Sequence, residues 1–126
     1  METDLNSNLK EASRFKEAQE HYAKAFKIEE DAFLHDDVKA EHAKADKEFG
    51  KAFAIYEELA KANHAEASYR LGYCYCVATG VKQDKVKGAE CFRKAAEQGH
   101  VLAKEALKEL KERGYLMINI GYKAEI

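Results

Sequence analysis

Apolar side chains recur every three or four residues along much of this chain. In the first segment, about 7–30, Phe15 and Tyr22 lie seven residues apart, with alanines at helical spacings around them. This pattern is typical of one face of an amphipathic helix, and Ser7 or Asn8 is placed to cap its N-terminus. The chain is therefore expected to open with a long helix.

The same periodicity predicts five further helical segments. The segment 31–46 is helical in composition but weakly amphipathic, and stronger patterns follow at about 48–62, 65–78, 85–98 and 101–113. The chain has no proline, so glycine and asparagine are the most informative breaks between helices. The pattern as a whole predicts an all-α chain of about six helices.

Two stretches, 51–72 and 87–108, are related by an offset of 36 residues. The matched pairs are Lys51 and Lys87, Ala60 and Ala96, His64 and His100, Ala67 and Ala103, and Leu71 and Leu107. Asn63 and Gly99 precede the paired histidines, and both residue types tolerate the left-handed conformation that ends many helices. The offset is therefore interpreted as a structural period of two helices, which is typical of an α-solenoid.

The stretch AEASYRLGYCYCVATGVKQDKVKGAECFRKAAEQG carries small and aromatic residues at informative positions. They are Ala65, Ala67, Leu71, Gly72, Tyr75, Gly80, Val81, Asp84, Lys87, Phe92 and the closing KAAEQG. Through them the segment 65–103 resembles a Sel-one-like repeat, a branch of the tetratricopeptide superfamily. It departs from that pattern at Ala78, Gly88 and Cys91, where the family usually has glycine, alanine and an aromatic residue.

The flanking segments extend the resemblance. KAFAIYEELAKAN resembles the second helix of a preceding repeat, and EAQEHYAKAFKIEED resembles another second helix, which would make 31–47 a degenerate first helix. In the last helix, Lys108 and Lys111 stand where the preceding copy has Gly72 and Tyr75. Because lysines need water, 101–113 is predicted to be a C-terminal capping helix.

We therefore predict one domain, a short right-handed α-solenoid of antiparallel helix pairs. Its predicted parts are degenerate N-terminal helices at 1–47, Sel-one-like repeats at 48–100, the capping helix at 101–113 and an apolar tail at 114–126. The tail carries the apolar residues Tyr115, Leu116, Met117, Ile118 and Ile120. It is expected to fold back on the solenoid, to bind into its groove, or to form a homodimer by docking onto a second copy.

The charge of the chain argues against two classes of binding partner. Charged residues of both signs make up 35% of the chain and give a net charge of −2, so a nucleic acid or an anionic membrane surface is not the expected partner. No apolar run approaches the roughly 20 residues that span a bilayer, and the polar start is unlike a secretory signal. The sequence predicts a soluble, cytoplasmic protein.

Candidate catalytic and metal-binding patterns are weak. The cysteines include a C-Y-C pair, not the C-x-x-C spacing of redox and zinc motifs, and a native disulfide between Cys74 and Cys91 is not expected. His35 and His42 lack the H-E-x-x-H spacing. We therefore predict no catalytic residues, no metal and no cofactor; an enzyme or a metal or thiol-redox protein is the less favoured alternative.

The resemblance implies a concave groove lined by the first helix of each pair, in which peptides or a partner's helix lie. The partner-binding residues predicted on this face are Glu66, Tyr69, Arg70, Tyr73, Cys76, Leu102, Glu105 and Glu109. Alternatively, Tyr69 and Tyr73 complete the packing between helices. The predicted function is a non-enzymatic module that binds a protein or peptide partner, and the alternative is an immunity protein that occludes a toxin or enzyme.

Overall fold

The computed structural model describes residues 2–34 and 36–114, which form five α-helices and one short 3₁₀ helix. The helices are α1, Glu2–Asp31; α2, Val38–Lys61; α3, Ala65–Val77; α4, Lys85–Glu97; and α5, Val101–Glu112, with the 3₁₀ helix at Ala32–Leu34. The prediction of an all-α fold is confirmed for this part of the chain. His35 and, beyond Gly114, the predicted apolar tail lie outside the described residues.

The N-terminal half differs from the prediction, because α2 is one helix where two were expected. It runs without a break past residue 47. Ala45, Phe49, Ala52 and Tyr56 follow one another at intervals of three or four residues, and all four are buried. This stripe is continuous across the predicted boundary, so nothing in the packing requires the helix to end there.

The helix starts in this half also differ from the prediction. α1 begins at Glu2, so the expectation that Ser7 or Asn8 caps it was wrong. α2 has the capped start instead, since the Asp37 carboxylate accepts a hydrogen bond of 3.0 Å from the backbone N–H of Ala40. Such a cap satisfies a donor that the first helical turn leaves without a partner.

The joints of the two matched stretches confirm the structural period. Asn63 and Gly99 both adopt left-handed backbone conformations, with φ of 64° and 89°. The next residue, His64 or His100, then opens α3 or α5. The same turn therefore closes one helix and starts the next in both copies.

The helices stack in two layers. Neighbours along the chain are antiparallel: Arg14 pairs with Glu58 while His21, further along α1, pairs with the earlier Glu48 on α2. Helices α1, α3 and α5 form one layer and α2 and α4 the other. Across the second layer, the Lys94 ammonium donates to the Ala60 carbonyl at 2.8 Å, a separation of 34 residues along the chain.

The core is divided into clusters that meet at α3. The largest cluster joins α1, α2 and α3 and includes Tyr56, Leu71 and Cys74. A second cluster joins α4 and α5 through Phe92 and Leu110, and Tyr69 and Cys76 of α3 pack against it. Helix α3 is therefore the shared wall between the two halves of the solenoid.

Candidate functional site

An aromatic groove lies between α1 and α3 on the face of the first layer. It is lined by Tyr22, Phe26, Tyr56, Tyr69, Arg70 and Tyr73, and encloses about 300 Å³. A shallower continuation along α1 is lined by Gln19, Lys27 and Glu30 together with four of these same residues. We call the six-residue site the aromatic groove.

The rings of the aromatic groove hold one another in place. The Tyr22 ring meets Phe26 edge-on, at a centroid distance of 5.1 Å, and lies 6.4 Å from Tyr56 at the base. Its hydroxyl is 3.2 Å from that of Thr79 in the loop after α3. Phe26 and Tyr73 remain 47% and 46% exposed, so each wall presents an accessible ring above a packed base.

The electrostatics of the aromatic groove come from one cation among neutral phenols. Burial raises the pKa of Tyr56 to about 12. Burial also raises the pKa of Tyr22, against a smaller lowering by its hydrogen bond to Thr79, and burial followed by the neighbouring Tyr73 raises that of Tyr69. The remaining charge in the lining is Arg70, whose guanidinium carbon lies 5.9 Å from the centroid of the Tyr69 ring.

A second groove lies between α3 and α5. It encloses about 160 Å³ and is lined by Tyr73, Cys76, Val77, Lys85, Phe92, Ala106, Glu109, Leu110 and Arg113. We call it the terminal groove. Tyr73 belongs to both grooves, so the two sites are neighbours on one face.

The Tyr69 side chain lines the aromatic groove and also packs against the start of α5. Its ring stacks on His100 at a centroid distance of 4.6 Å. His100 Nδ1 accepts the backbone N–H of Ala103 at 3.1 Å, so the proton of the neutral ring is on Nε2, which donates to the Glu66 carboxylate. Glu66 also accepts from Arg70 Nε at 3.3 Å. These contacts join α3 to α5 and fix the side chain of Arg70.

The structure distributes the eight predicted partner-binding residues unevenly. Tyr69, Arg70 and Tyr73 line the aromatic groove, and Cys76 and Glu109 line the terminal groove. Glu66 lies beside Arg70 and His100. Leu102 and Glu105 are exposed on α5 and line neither of these grooves. That all eight contact a partner stays a prediction.

Sequence reasoning missed the contribution of α1 to the aromatic groove. Tyr22 and Phe26 line it, but their segment was interpreted as a second helix, which would lie in the other layer. In the structure α1 runs parallel to α3: Phe15 stacks on His64 at the start of α3, and Tyr22 reaches Thr79 beyond its end. The usable signal was the aromatic stripe of α1.

The described histidine, cysteine and acidic side chains give little support to a metal-binding or thiol-redox function. Within the ranges 2–34 and 36–114, no three His, Cys, Asp or Glu side chains gather as a metal site. The three cysteines are free thiols. Burial raises the pKa of Cys74 and of Cys91 to about 11, so both are protonated at neutral pH and poor nucleophiles.

Helix pairs stacked in two parallel layers, with grooves between helices of one layer, define a short α-solenoid of the tetratricopeptide type. Residues 65–100 match the family model of the Sel1 repeat, which is the Sel-one-like repeat that the sequence resembles. Sel1 repeats are generally protein-interaction modules. In the part of the chain that the structure describes, no helix combines the length and the hydrophobicity needed to cross a membrane.

A curated relative matches part of the chain. Over 57 residues the chain is 40% identical to "Chitin synthase regulatory factor 3" of Schizosaccharomyces pombe. The match takes in 45% of this chain and 6% of that protein, so the chain covers only a small part of this relative's length. No solved structure matches the chain.

Proposed function

We propose that the chain is a non-catalytic module that binds a segment of a partner protein in the aromatic groove. The observation that carries this proposal is the pair of half-exposed rings, Phe26 on α1 and Tyr73 on α3, that face one cleft with Arg70 between them. Accessible aromatic side chains next to arginine are enriched where proteins bind one another. Sel1 repeats generally serve this purpose.

The groove also suggests the chemistry of the bound segment. Apolar side chains of the partner lie against Phe26 and Tyr73, since dispersion and the hydrophobic effect favour such contacts. Arg70 binds an acidic side chain of the partner, because its planar guanidinium matches a carboxylate. Neutral phenols in the lining donate hydrogen bonds to the partner's backbone carbonyls. The occupant is an apolar segment with one acidic residue.

The proposal is tested by removing the accessible rings while leaving the base of the groove intact. Phe26→Ala with Tyr73→Ala is the groove variant. Leu9→Ala with Val101→Ala is the matched control, because these apolar side chains are 60% and 64% exposed and line neither groove. Each protein is used to capture partners from a lysate of cells that express the chain, and captured proteins are identified by mass spectrometry.

We expect one protein to be captured by the wild type and by the control variant and to be lost with the groove variant. As a single substitution in the wild type, Arg70→Gln should also weaken the capture, because it removes the cation that binds the partner's acidic side chain. Thermal unfolding of all variants must stay close to the wild type. Equal capture by the groove variant would refute the proposal, and unfolding of that variant would show that the two rings belong to the core.

The role of the complex is a separate question from the site. The name of the relative, a regulatory factor, supports an adaptor or regulator. A tight, equimolar complex in which the partner's activity is blocked would favour the inhibitor alternative. Size-exclusion chromatography with light scattering on the purified complex measures the stoichiometry, and an activity assay of the partner separates the two roles.

A further inference from the structure

A cleft lies between α2, α3 and α4, on the side of α3 that faces away from the two grooves. It encloses about 250 Å³, and we call it the rear cleft. Its lining residues are Glu57, Ala60 and Lys61 of α2, Ser68, Leu71 and Tyr75 of α3, and Lys87, Glu90, Cys91 and Lys94 of α4. On a helix with 3.6 residues per turn, the three lining residues of α3 share one side, and the residues of α3 that line the two grooves lie on the other.

The hydroxyl of Ser68, at the inner wall of the rear cleft, lacks a hydrogen-bond partner. Ser68 is 0% exposed, and among the described residues its Oγ is the one buried side-chain oxygen or nitrogen that is left unpaired. A buried hydroxyl without a partner destabilises a fold, and an apolar residue such as alanine would avoid this cost. The hydroxyl therefore points to an acceptor that the described residues do not supply.

Two lysines lie at the same end of the rear cleft as Ser68. Helix α2 ends at Lys61 and α3 begins at Ala65, so the end of α2 lies close to the first turn of α3, which contains Ser68. The Lys94 ammonium reaches this end and donates to the Ala60 carbonyl at 2.8 Å, which uses one of its three N–H donors. The end of the cleft beside Ser68 therefore carries two positive charges with donors left for an anion.

The rear cleft continues from this charged end along an apolar wall. Leu71 is buried, and the Tyr75 ring meets Phe53 edge-on at a centroid distance of 5.4 Å. The Lys87 ammonium lies 5.9 Å from the centroid of the same ring. These contacts fix the Tyr75 ring, so a hydrocarbon chain can pack against it and Leu71.

The charges of the lining indicate the charge of the ligand. Three lysines and two glutamates line the rear cleft, which leaves one net positive charge. A monoanion balances this charge. A dianion such as phosphate would leave an excess of negative charge next to the two glutamates, where like charges repel.

We propose that the rear cleft binds a small carboxylic acid with a short hydrocarbon chain. Its carboxylate accepts hydrogen bonds from the Lys61 and Lys94 ammonium groups and from Ser68, whose hydroxyl turns between staggered positions to meet it. The hydrocarbon chain lies against Leu71 and Tyr75. This site is separate from the aromatic groove, so the proposal does not rest on the proposed function of that groove.

Alkylation of the native cysteines tests the proposal in the full chain, with hexanoate as the probe. Cys91 lines the rear cleft and Cys76 lines the terminal groove, so Cys76 is an internal control. When hexanoate occupies the cleft in nine molecules of ten, Cys91 should be alkylated about ten times more slowly. The rate at Cys76 should not change.

Two control ligands of the same chain length separate the contributions of charge and hydrocarbon. The neutral 1-hexanol and the cation hexylammonium should both protect Cys91 much less than hexanoate does. Equal protection by 1-hexanol would show that the lysines do not select the ligand and would overturn the proposal. Stronger protection by hexylammonium, or equal slowing at Cys76, would overturn it as well.

Substitution of a lysine tests the assigned positive end. Lys61→Gln should weaken hexanoate binding about two- to fivefold, as expected for an exposed ion pair, measured by Cys91 protection at increasing hexanoate concentration. Lys82→Gln is the matched control, because Lys82 is exposed in the loop before α4 and removes the same charge outside the cleft. Equal effects of the two substitutions would contradict the assigned position of the carboxylate.

Substitution of Ser68 tests the role of its hydroxyl. Ser68→Ala should weaken hexanoate binding about tenfold. The unfolding temperature of the ligand-free variant should equal or exceed that of the wild type, because the variant loses an unpaired buried hydroxyl. Unchanged hexanoate binding, or a lower unfolding temperature, would show that the hydroxyl serves the fold and would overturn its assigned role in binding.

Discussion

His64 and His100 start α3 and α5 by the same hydrogen bond. In each, Nδ1 accepts a backbone N–H three residues on, at 3.1 Å, as serine or aspartate does at a more usual helix start. The two rings differ in what they stack on, which is Phe15 for His64 and Tyr69 for His100. A histidine here therefore joins a helix start to the preceding helix of the same layer.

Replacement of either histidine by alanine and by asparagine separates these two contributions. Asparagine keeps a side-chain acceptor at the helix start, while alanine removes it. We expect His100→Ala and His64→Ala to lower the free energy of unfolding by about 1 kcal/mol more than the corresponding asparagine variants. Urea unfolding measures the difference. Equal losses for alanine and asparagine at both sites would mean that the stacking alone stabilises these joints.

Glu48 is a buried carboxylate that ties α2 to α1. It is 6% exposed, lies 2.9 Å from His21 Nδ1 and receives Lys24 and Lys51 at 3.2 and 3.4 Å. Burial by itself raises its pKa, but the hydrogen bonds from Lys24 and His21 outweigh burial, so the pKa of Glu48 is lowered overall. The charged form therefore stabilises the fold.

The sign of this shift sets a pH dependence. A carboxylate with a lowered pKa contributes stability above its ordinary value of 4.5 and loses it as the pH falls through the folded-state value. We expect Glu48→Gln to cost about 1–2 kcal/mol at neutral pH, because it removes the charge that Lys24 and His21 contact. The cost should shrink as the pH falls below that ordinary value.

Urea unfolding of both proteins between neutral and acid pH measures this difference. Glu58→Gln is the matched control, since Glu58 also pairs across α1 and α2, with Arg14, but is 57% exposed and screened by water. The control should cost less at every pH. A Glu48→Gln penalty that stays constant down to acid pH would contradict the assigned role.

At the scale of helices, α3 and α4 approach each other through two glycines. A Cβ atom on Gly72 would lie 2.7 Å from the Phe92 ring and 2.9 Å from the Gly88 carbonyl oxygen. A Cβ atom on Gly88 would lie 2.6 Å from Cys76 Sγ and 2.9 Å from the Gly72 carbonyl oxygen. The departure from the repeat pattern at Gly88 thus has a local cause, because the Cys76 side chain fills the space of a methyl group.

Alanine at these glycines should destabilise the fold although alanine favours helix by about 1 kcal/mol. We expect Gly72→Ala and Gly88→Ala to lower the free energy of unfolding by about 1–3 kcal/mol, since overpacking forces the helices apart. Gly50→Ala is the matched control: Gly50 lies inside α2, and its added methyl group meets nothing within 4 Å. Chemical unfolding should show a small gain for the control; a gain at Gly72 would contradict the close contact.

Helices were predictable from sequence to the extent that their ends carry local signals. The Asn63 and Gly99 stops and the start at Val101 follow from the chain itself. The start of α2 could not be predicted from the sequence. Asp37 is one of two adjacent aspartates, and the weak hydrophobic pattern after it gave no reason to choose between them. Whether a helix is the first or the second of a pair depends on which helices lie beside it in space. The hydrophobic periodicity of the sequence does not show this.

The same limit explains which groove residues were found. Tyr69, Arg70 and Tyr73 lie within the recognisable repeat and were predicted to face a partner, and all three line the aromatic groove. Phe26 belongs to α1, outside that repeat, and only its packing beside α3 shows where it points. A binding surface formed between repeats therefore needs the structure of both helices that border it.

At the scale of the whole molecule, the two halves of the solenoid are linked through α3. The first-half cluster joins three helices and buries the large side chains of Ile55, Tyr56 and Leu59 on α2. The second-half cluster buries Phe92 and Leu110 among alanines. Helix α5 contributes to the second cluster with one face, and its outer face is polar. Its apolar interface with the rest of the solenoid is therefore smaller than the apolar interfaces of α2 and α3. In a stacked array, each unit is stabilised mainly by its neighbours.

Unfolding should therefore begin at α5 and spread towards α1. We expect hydrogen exchange followed by mass spectrometry to show weaker protection for α5 than for α2 and α3. Leu110→Ala should cost about 2–3 kcal/mol locally and increase exchange in α5 and α4, with little change in α1 and α2. Ile55→Ala, the matched control in the first cluster, should instead increase exchange across α1, α2 and α3. If Leu110→Ala raised exchange equally in all five helices, the solenoid would unfold as one unit and the two clusters would not be separable.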